Sequence, residues 1–194
     1  MNGTESLLLL IDALDRAGVP YMIVGSYSSN YYGIPRSTKD ADLVVHLPSA
    51  EWAKVPAILP EGIEMDDQMS FEMVTSTRRE LLRVKDSLFQ IELFRLSDDP
   101  HDRERFGRRR RVEVFPGTEV SMPAAEDVIV QKLRWCLGAK RPKDFADAVA
   151  VMQVQGQTLD WSYIEEWCAD HGTLELLAQA KAEAAAAWED DGAD

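Results

Sequence analysis

The sequence is short of sulfur, histidine, long apolar runs and positive charge. Its two cysteines, Cys136 and Cys168 in 194 residues, give neither a secreted disulfide framework nor a metal-ligand spacing, so both are expected as buried free thiols on separate helices. Three histidines, His46, His101 and His171, lie far apart, which argues against a zinc site. The apolar run Leu7 to Ile11 is hemmed by Glu5, Asp12, Asp15 and Arg16 and falls well short of the roughly 18 residues a membrane span needs. The expectation is a cytoplasmic protein without a signal peptide. With 21 Lys and Arg against 34 Asp and Glu, the formal charge is −13, which argues against coating nucleic acid by bulk electrostatics.

The positive charge that is present is concentrated. Arg103, Arg105, Arg108, Arg109, Arg110 and Arg111 fall within one short stretch, whereas the tail "WEDDGAD" is purely acidic. The arginine run reads either as a solvated connection or as a contact for phosphate or an RNA backbone.

At 45% hydrophobic, the chain is long enough to bury a sizeable core. Apolar residues at Leu7, Leu10, Ile11 and Leu14 predict a helix capped at Thr4 or Ser6 and stopped by Gly18 and Pro20. Tyr21–Val24 reads as a buried strand, with Gly25 turning the chain into a helix over Ser26–Tyr32 that Gly33 and Pro35 end. Asp42–His46 is a second strand, and "PSAEWAKVPAIL" a helix. Between Ile63 and Leu96 the residues Phe71, Met73, Leu82, Val84, Phe89, Ile91, Leu93 and Phe94 supply two or three strands, and "RVEVFPGTEVSMP" a hairpin about Pro116-Gly117. From Ala124 the period becomes helical through four segments. Strands followed by helices predict an α+β fold, a mixed and mainly antiparallel sheet flanked by helices. Residues 1–122 are expected to form the α+β core and 123–194 a helical part packed on it, with the last few residues disordered.

The chemistry is concentrated in "VGSYSSNYYGIPRSTKDADLVV", Val24 to Val45. Asp40 and Asp42 alternate on a strand and so share a face, an arrangement suited to hard divalent cations. Such a pair recurs by chance in a chain this acidic, but it has company. Gly25-Ser26 stands at a strand-to-helix turn, where backbone N–H groups and a hydroxyl can hold phosphate. Glu92 lies between Ile91 and Leu93, where a charge is costly unless paired or bound to metal. Arg36 and Lys39 precede Asp40 and could neutralise phosphate oxygens.

In these motifs the chain resembles the nucleotidyltransferase superfamily of the polymerase-beta type. The match is an apolar strand with Gly25-Ser26, a helix, Asp40-Ala41-Asp42 and a later strand acid, Glu92. "GIPRSTKDADLVV" with "EDVIVQKLRW" and "RPKDFADAV" is similar to the small prokaryotic branch that includes toxins of toxin–antitoxin and abortive-infection systems. The resemblance implies the nucleotidyltransferase fold and transfer of a nucleoside monophosphate from an NTP such as ATP to a hydroxyl of a tRNA, a protein or a small molecule, releasing pyrophosphate. It implies two Mg²⁺ ions held by Asp40, Asp42 and Glu92, with Glu92 activating the acceptor, and a possible antitoxin partner. Gly25, Ser26, Arg36, Lys39, Lys132, Arg141 and Asp144 are its nucleotide-binding candidates. For Arg141 and Asp144 the ordinary start of a helix is an equal reading. Trp135, Trp161, Trp167 and Trp188 on the C-terminal helical segments read as core, and Tyr27, Tyr31 and Tyr32 as core or as a base-stacking ring. The rival to catalysis is a silent nucleotide- or partner-binding module on the same fold, to which the acidic surface and serine-rich helix also point.

Overall fold

A computed structural model describes residues 2–72, 77–138 and 141–190. The chain divides into two compact units, Met1–Tyr27 with Ser37–Met122, and Ser28–Arg36 with Pro123–Asp194. The first is built on a five-stranded sheet: β1 (Tyr21–Val24), β2 (Asp40–Val45), β3 (Ile63–Glu72), β4 (Thr77–Val84) and β5 (Gln90–Arg95). Their order is β1-β2-β5-β4-β3. Only β2 and β5 pair in parallel; the other neighbours are antiparallel. This is the expected α+β class. Met73, expected in a strand, and residues 191–194, expected to be disordered, lie outside the described residues.

Strand alternation divides the sheet's side chains between two faces. Tyr21, Ile23, Ala41, Leu43, Val45, Ile91, Leu93, Leu82 and Val84 bury one face in the main core. Helix α1 (Gly3–Arg16) brings Leu7, Leu10, Ile11 and Leu14 to that core. The hairpin of β6 (Arg110–Phe115) and β7 (Thr118–Met122) adds Val120 and Met122, and Gly117 supplies the positive φ its turn requires. Burial pushes the Tyr21 phenol up to about 12, with Asp15 adding to the shift. It therefore remains a neutral hydroxyl that donates to Asp15 and accepts from Arg111.

On the other face Met22, Val24, Val44 and Phe94 pack with Phe106 of a short helix, which is α4 in chain order (Pro100–Gly107). Besides β2, the segment between β1 and β3 holds α2 (Gly25–Tyr32) and a 3-10 turn over Ser49–Lys54 that runs into α3 (Val55–Ile58). The expected helix over this last segment is thus split into a 3-10 turn and a single turn of α-helix. Pro56 stands at its start and removes a donor there.

The first helix also begins earlier than its pattern indicated. Asn2, not Thr4 or Ser6, caps α1, in a reciprocal capping box with Glu5. In the second unit α5 (Ala125–Gly138), α6 (Pro142–Gln155), α7 (Trp161–His171) and α8 (Leu174–Asp190) surround Val128, Ile129, Leu133, Val151, Met152 and Ile164. Asp160 caps α7, and Gly172 ends it in the left-handed conformation. Among the described residues no helix is long and apolar enough to cross a membrane.

Candidate active site

The site in the first unit begins where β1 ends. Val24 lies opposite Asp42 in the antiparallel β1–β2 pair, and the chain turns at once through Gly25, whose φ is +62°. A Cβ at Gly25 would fall 2.8 Å from the carboxyl carbon of Asp42 and closer still to Oδ2. Only glycine both adopts this conformation cheaply and leaves that space beside the carboxylate. The turn feeds directly into α2, so Gly25 and Ser26 occupy its first, donor-rich end.

Asp42 faces a second acid across the sheet. In the parallel β2–β5 ladder Asp42 is in register with Glu92, and Asp40 with Gln90. By alternation Asp40, Asp42 and Glu92 share the face that carries Val44 and Phe94, opposite Ala41 and Leu43. Asp40 is exposed, Asp42 and Glu92 half-buried. Thr38 donates from Oγ1 to Asp40 Oδ1 at 2.7 Å, and Lys39, whose side chain is exposed, accepts on its carbonyl from the Gln90 N–H. Burial raises the pKa of the neighbouring Tyr27 phenol; a hydrogen bond with Thr4 works against that rise and Asp40 adds to it.

Glu92 has a partner that the sequence did not reveal. Arg79 on β4 donates from Nη1 to Glu92 Oε2 at 2.9 Å. Among the described residues no three His, Cys, Asp or Glu side chains are gathered closely enough to hold one metal ion. The carboxylate oxygens of Asp40 and Asp42 suit a hard cation such as Mg²⁺, and the missing Cβ of Gly25 leaves room at Asp42. The residues therefore fit such an ion at the aspartate pair, with Glu92 held by Arg79.

The remaining candidates belong to the second unit, where Arg36, Lys132 and Asp144 join a largely buried ion-pair network and Arg141 lies at its exposed edge. Lys132, 3% exposed, donates from Nζ to Asp144 Oδ1 at 2.9 Å and to Asp147 Oδ2 at 2.7 Å. Arg36 binds Asp147 through Nε and Nη2, both at 2.8 Å, a bidentate pair. Ser29 adds a hydroxyl to Asp147 Oδ2 at 3.2 Å. Arg141 stands just before α6 with Pro142 in its first turn. It is exposed, and its Nη1 lies 3.7 Å from Asp144 Oδ2.

Asp147, the centre of this network, was absent from the sequence-derived candidates. Burial alone would raise its pKa, but hydrogen bonds and charge from Arg36 and Lys132 outweigh burial and hold it below the usual value. Its spacing of three from Asp144 on one helix was the signal available.

The arginine run is largely engaged within its own unit. Arg105 is buried against Asp102, Arg103 pairs with Asp98, and Arg111 contacts Asp15 and Tyr21. Arg109 donates to the Phe106 carbonyl and lies over its ring. The tyrosines separate likewise. Tyr27 packs near Phe115, Tyr32 donates to the Pro123 carbonyl, and Tyr31, 41% exposed, keeps the most open ring. Cys168 is buried as expected, whereas Cys136 is only half-buried; both are free.

Two outcomes follow from these contacts. Gly25→Ala should lower stability by about 1–3 kcal/mol through backbone strain and the clash with Asp42. Pairing it with Asp42→Ala should cost less than the sum of the two changes in urea unfolding, because the second truncation relieves part of the clash. Because Asp147 titrates below its unfolded value of 3.8, its ion pairs stabilise the fold above about pH 4 and are lost as pH falls through the depressed native value. Thermal melts from pH 7 downward should show that loss in the wild type, and Asp147→Asn should flatten it.

The comparisons agree with this architecture. The solution structure of the antibiotic-resistance factor ANT(2'')-Ia superposes with a TM-score of 0.60 at 13% identity, covering 92% of this chain and 97% of that one. An antigenic nucleotidyltransferase-like protein from Paracoccidioides brasiliensis gives 0.56 at 16%, covering 91% of each. The lincosamide antibiotic adenylyltransferase LnuA with lincomycin bound gives 0.52 at 11%, over 77% of this chain and 96% of that one. At such identities the likeness shows the nucleotidyltransferase fold alone. No curated protein matches the sequence. Residues 28–193, however, match the profile of the family described as nucleotidyl transferase AbiEii toxin of type IV toxin–antitoxin systems. The chain belongs to that family and is a nucleotidyltransferase of its kind.

Proposed function

We propose that this enzyme moves a nucleoside monophosphate from an NTP to a hydroxyl acceptor, with Mg²⁺ at Asp40 and Asp42 and pyrophosphate as the leaving group. One observation carries the reading: Asp42 is held between the Gly25 turn and the Glu92 strand by continuous ladder pairing on both sides. The Gly25-Ser26 turn, the Asp42 carboxylate and the Glu92 carboxylate thus stand in one row across three strands, which supports reading them as the phosphate-binding and cation-binding groups.

Each group has a distinct task. The backbone N–H groups at the start of α2, with the Ser26 hydroxyl, bind phosphate oxygens and orient the triphosphate. Asp40 and Asp42 hold the cation, and Thr38 fixes the carboxylate of Asp40. When bound, Mg²⁺ withdraws charge from the transferred phosphoryl group and its leaving oxygens. Glu92 accepts the proton of the acceptor hydroxyl, whose oxygen forms the new bond to the α-phosphorus as the bond to the pyrophosphate oxygen breaks. Lys132 and Arg141 are assigned to nucleotide binding by the family resemblance, with Asp144, which holds Lys132, orienting the basic residues, and Arg36 and Lys39 by their position just before Asp40. A second ion through Glu92, an acceptor among tRNA, protein or small molecules, an antitoxin partner and a cytoplasmic setting, where NTP is available, complete the proposal.

A silent binding module is the competing reading, and the Arg79–Glu92 ion pair is what favours it. Incubation with α-labelled NTPs, Mg²⁺ and tRNA, protein or aminoglycoside acceptors should transfer label and release pyrophosphate. Asp42→Ala should lower the rate by on the order of 10²-fold or more, as loss of an electrostatic stabiliser does, and chelation should abolish it. Nucleotide binding with no transfer to any acceptor, or equal rates in wild type and Asp42→Ala, would overturn the proposal.

A further inference from the structure

We infer that Arg79 is a positioning residue: it holds Glu92 apart from the aspartate pair, so the nucleotide-free protein takes its first divalent cation through Asp40 and Asp42 alone. The inference rests on the function proposed above and concerns how that site is assembled.

The sheet carries two crosswise arginine–glutamate pairs between β4 and β5, one on each face. On the core face Arg95 reaches Glu80 at 2.7 Å and lies 4.3 Å over the Trp52 ring. That pair is a buried brace. On the other face Arg79 stands opposite Phe94 in the ladder, while Leu81 stands opposite Glu92. Its side chain therefore runs back along the strand to reach Glu92 at 2.9 Å. With side-chain exposures of 37% and 19%, this second pair has access to solvent and stands in the row that contains Asp42.

Strand order gives the direction. Asp42 is on β2, Glu92 on the adjoining β5 and Arg79 on β4 beyond it, so the guanidinium approaches Glu92 from the side away from the Gly25 turn. A cation that neutralises Glu92 from there competes directly with a divalent ion for its oxygens, and like charge opposes bringing that ion near. The absence of a three-acid cluster among the described residues is the geometry expected when one of three carboxylates is held by another partner. Release of Glu92 then requires a change that the arriving nucleotide and its metal supply, which orders the two binding events.

Mn²⁺ titration followed by electron paramagnetic resonance reads this without turnover. Nucleotide-free wild type should bind one Mn²⁺ per chain, lost in Asp42→Ala, and the paired variant Arg79→Gln/Glu92→Gln, which removes both charges together, should leave that affinity unchanged. With a non-hydrolysable NTP analogue, Glu92→Gln should weaken Mn²⁺ binding. Arg79→Gln should bind nucleotide-free Mn²⁺ about tenfold more tightly or gain a second equivalent; Arg79→Lys should restore wild-type behaviour. Two Mn²⁺ in the nucleotide-free wild type, or weaker nucleotide-free binding in the paired variant, would overturn the role of Arg79 and leave the function standing. The wild-type stoichiometry decides the matter even if the Arg79 variants do not fold. Absence of Mn²⁺ binding that depends on Asp42 would overturn both.

Discussion

Asp42 is fixed by the pairing of its own strand on both sides, and most of the candidate site depends on that register. β2 runs antiparallel to β1 and parallel to β5, with Asp42 between Val24 and Glu92. The register is enforced by burial. Ala41, Leu43 and Val45 alternate with the acids and are 0–2% exposed in the main core, so a slip of one residue would bring carboxylates into that core and apolar side chains out of it. Burying an unpaired carboxylate costs several kcal/mol. The apolar face thus positions the acidic one, and Gly25 can turn so close to Asp42 only because the strand cannot shift away.

The second unit solves a different electrostatic problem. Lys132, Asp144 and Asp147 are almost wholly buried, and ions in such a place are tolerated when each is hydrogen-bonded to an opposite charge. Asp147 takes Arg36 on one side and Lys132 on the other, with Ser29 filling a further acceptor position. Removing a single member would leave a buried charge without part of its compensation. The network is therefore a stability element in its own right, and Lys132 and Arg36 reach any nucleotide role from an already paired state.

Much of this was legible in the sequence because the deciding signals are local. The strand–Gly–Ser–helix run, the alternation of Asp40 and Asp42 with apolar residues, and a glutamate between Ile91 and Leu93 each speak within a few residues, and they mark the candidate site. The hairpin and the C-terminal helices were equally plain from their periods. What escaped was settled by partners distant in sequence or by charge-rich segments. Arg79 finds Glu92 across a hairpin, and Asp147 finds Arg36 across 111 positions; neither has a local mark. Helix α4 consists largely of charged residues with a weak apolar stripe, so its arginines looked like a connection or a phosphate contact, although Arg105 is buried against Asp102. The 3-10 turn before α3 was masked by a helix-like composition interrupted by Pro56.

In the proposed site Asp40 and Asp42 together bind the cation that carries the nucleotide's phosphates beside Gly25. The most direct test is a crystal structure with Mn²⁺ and a non-hydrolysable NTP analogue, using the anomalous signal to locate the metal. The expected result is a Mn²⁺ peak against both aspartate carboxylates, with phosphate oxygens on it and on the Gly25-Ser26 turn. A nucleotide bound elsewhere, or a metal that touches neither aspartate, would contradict it.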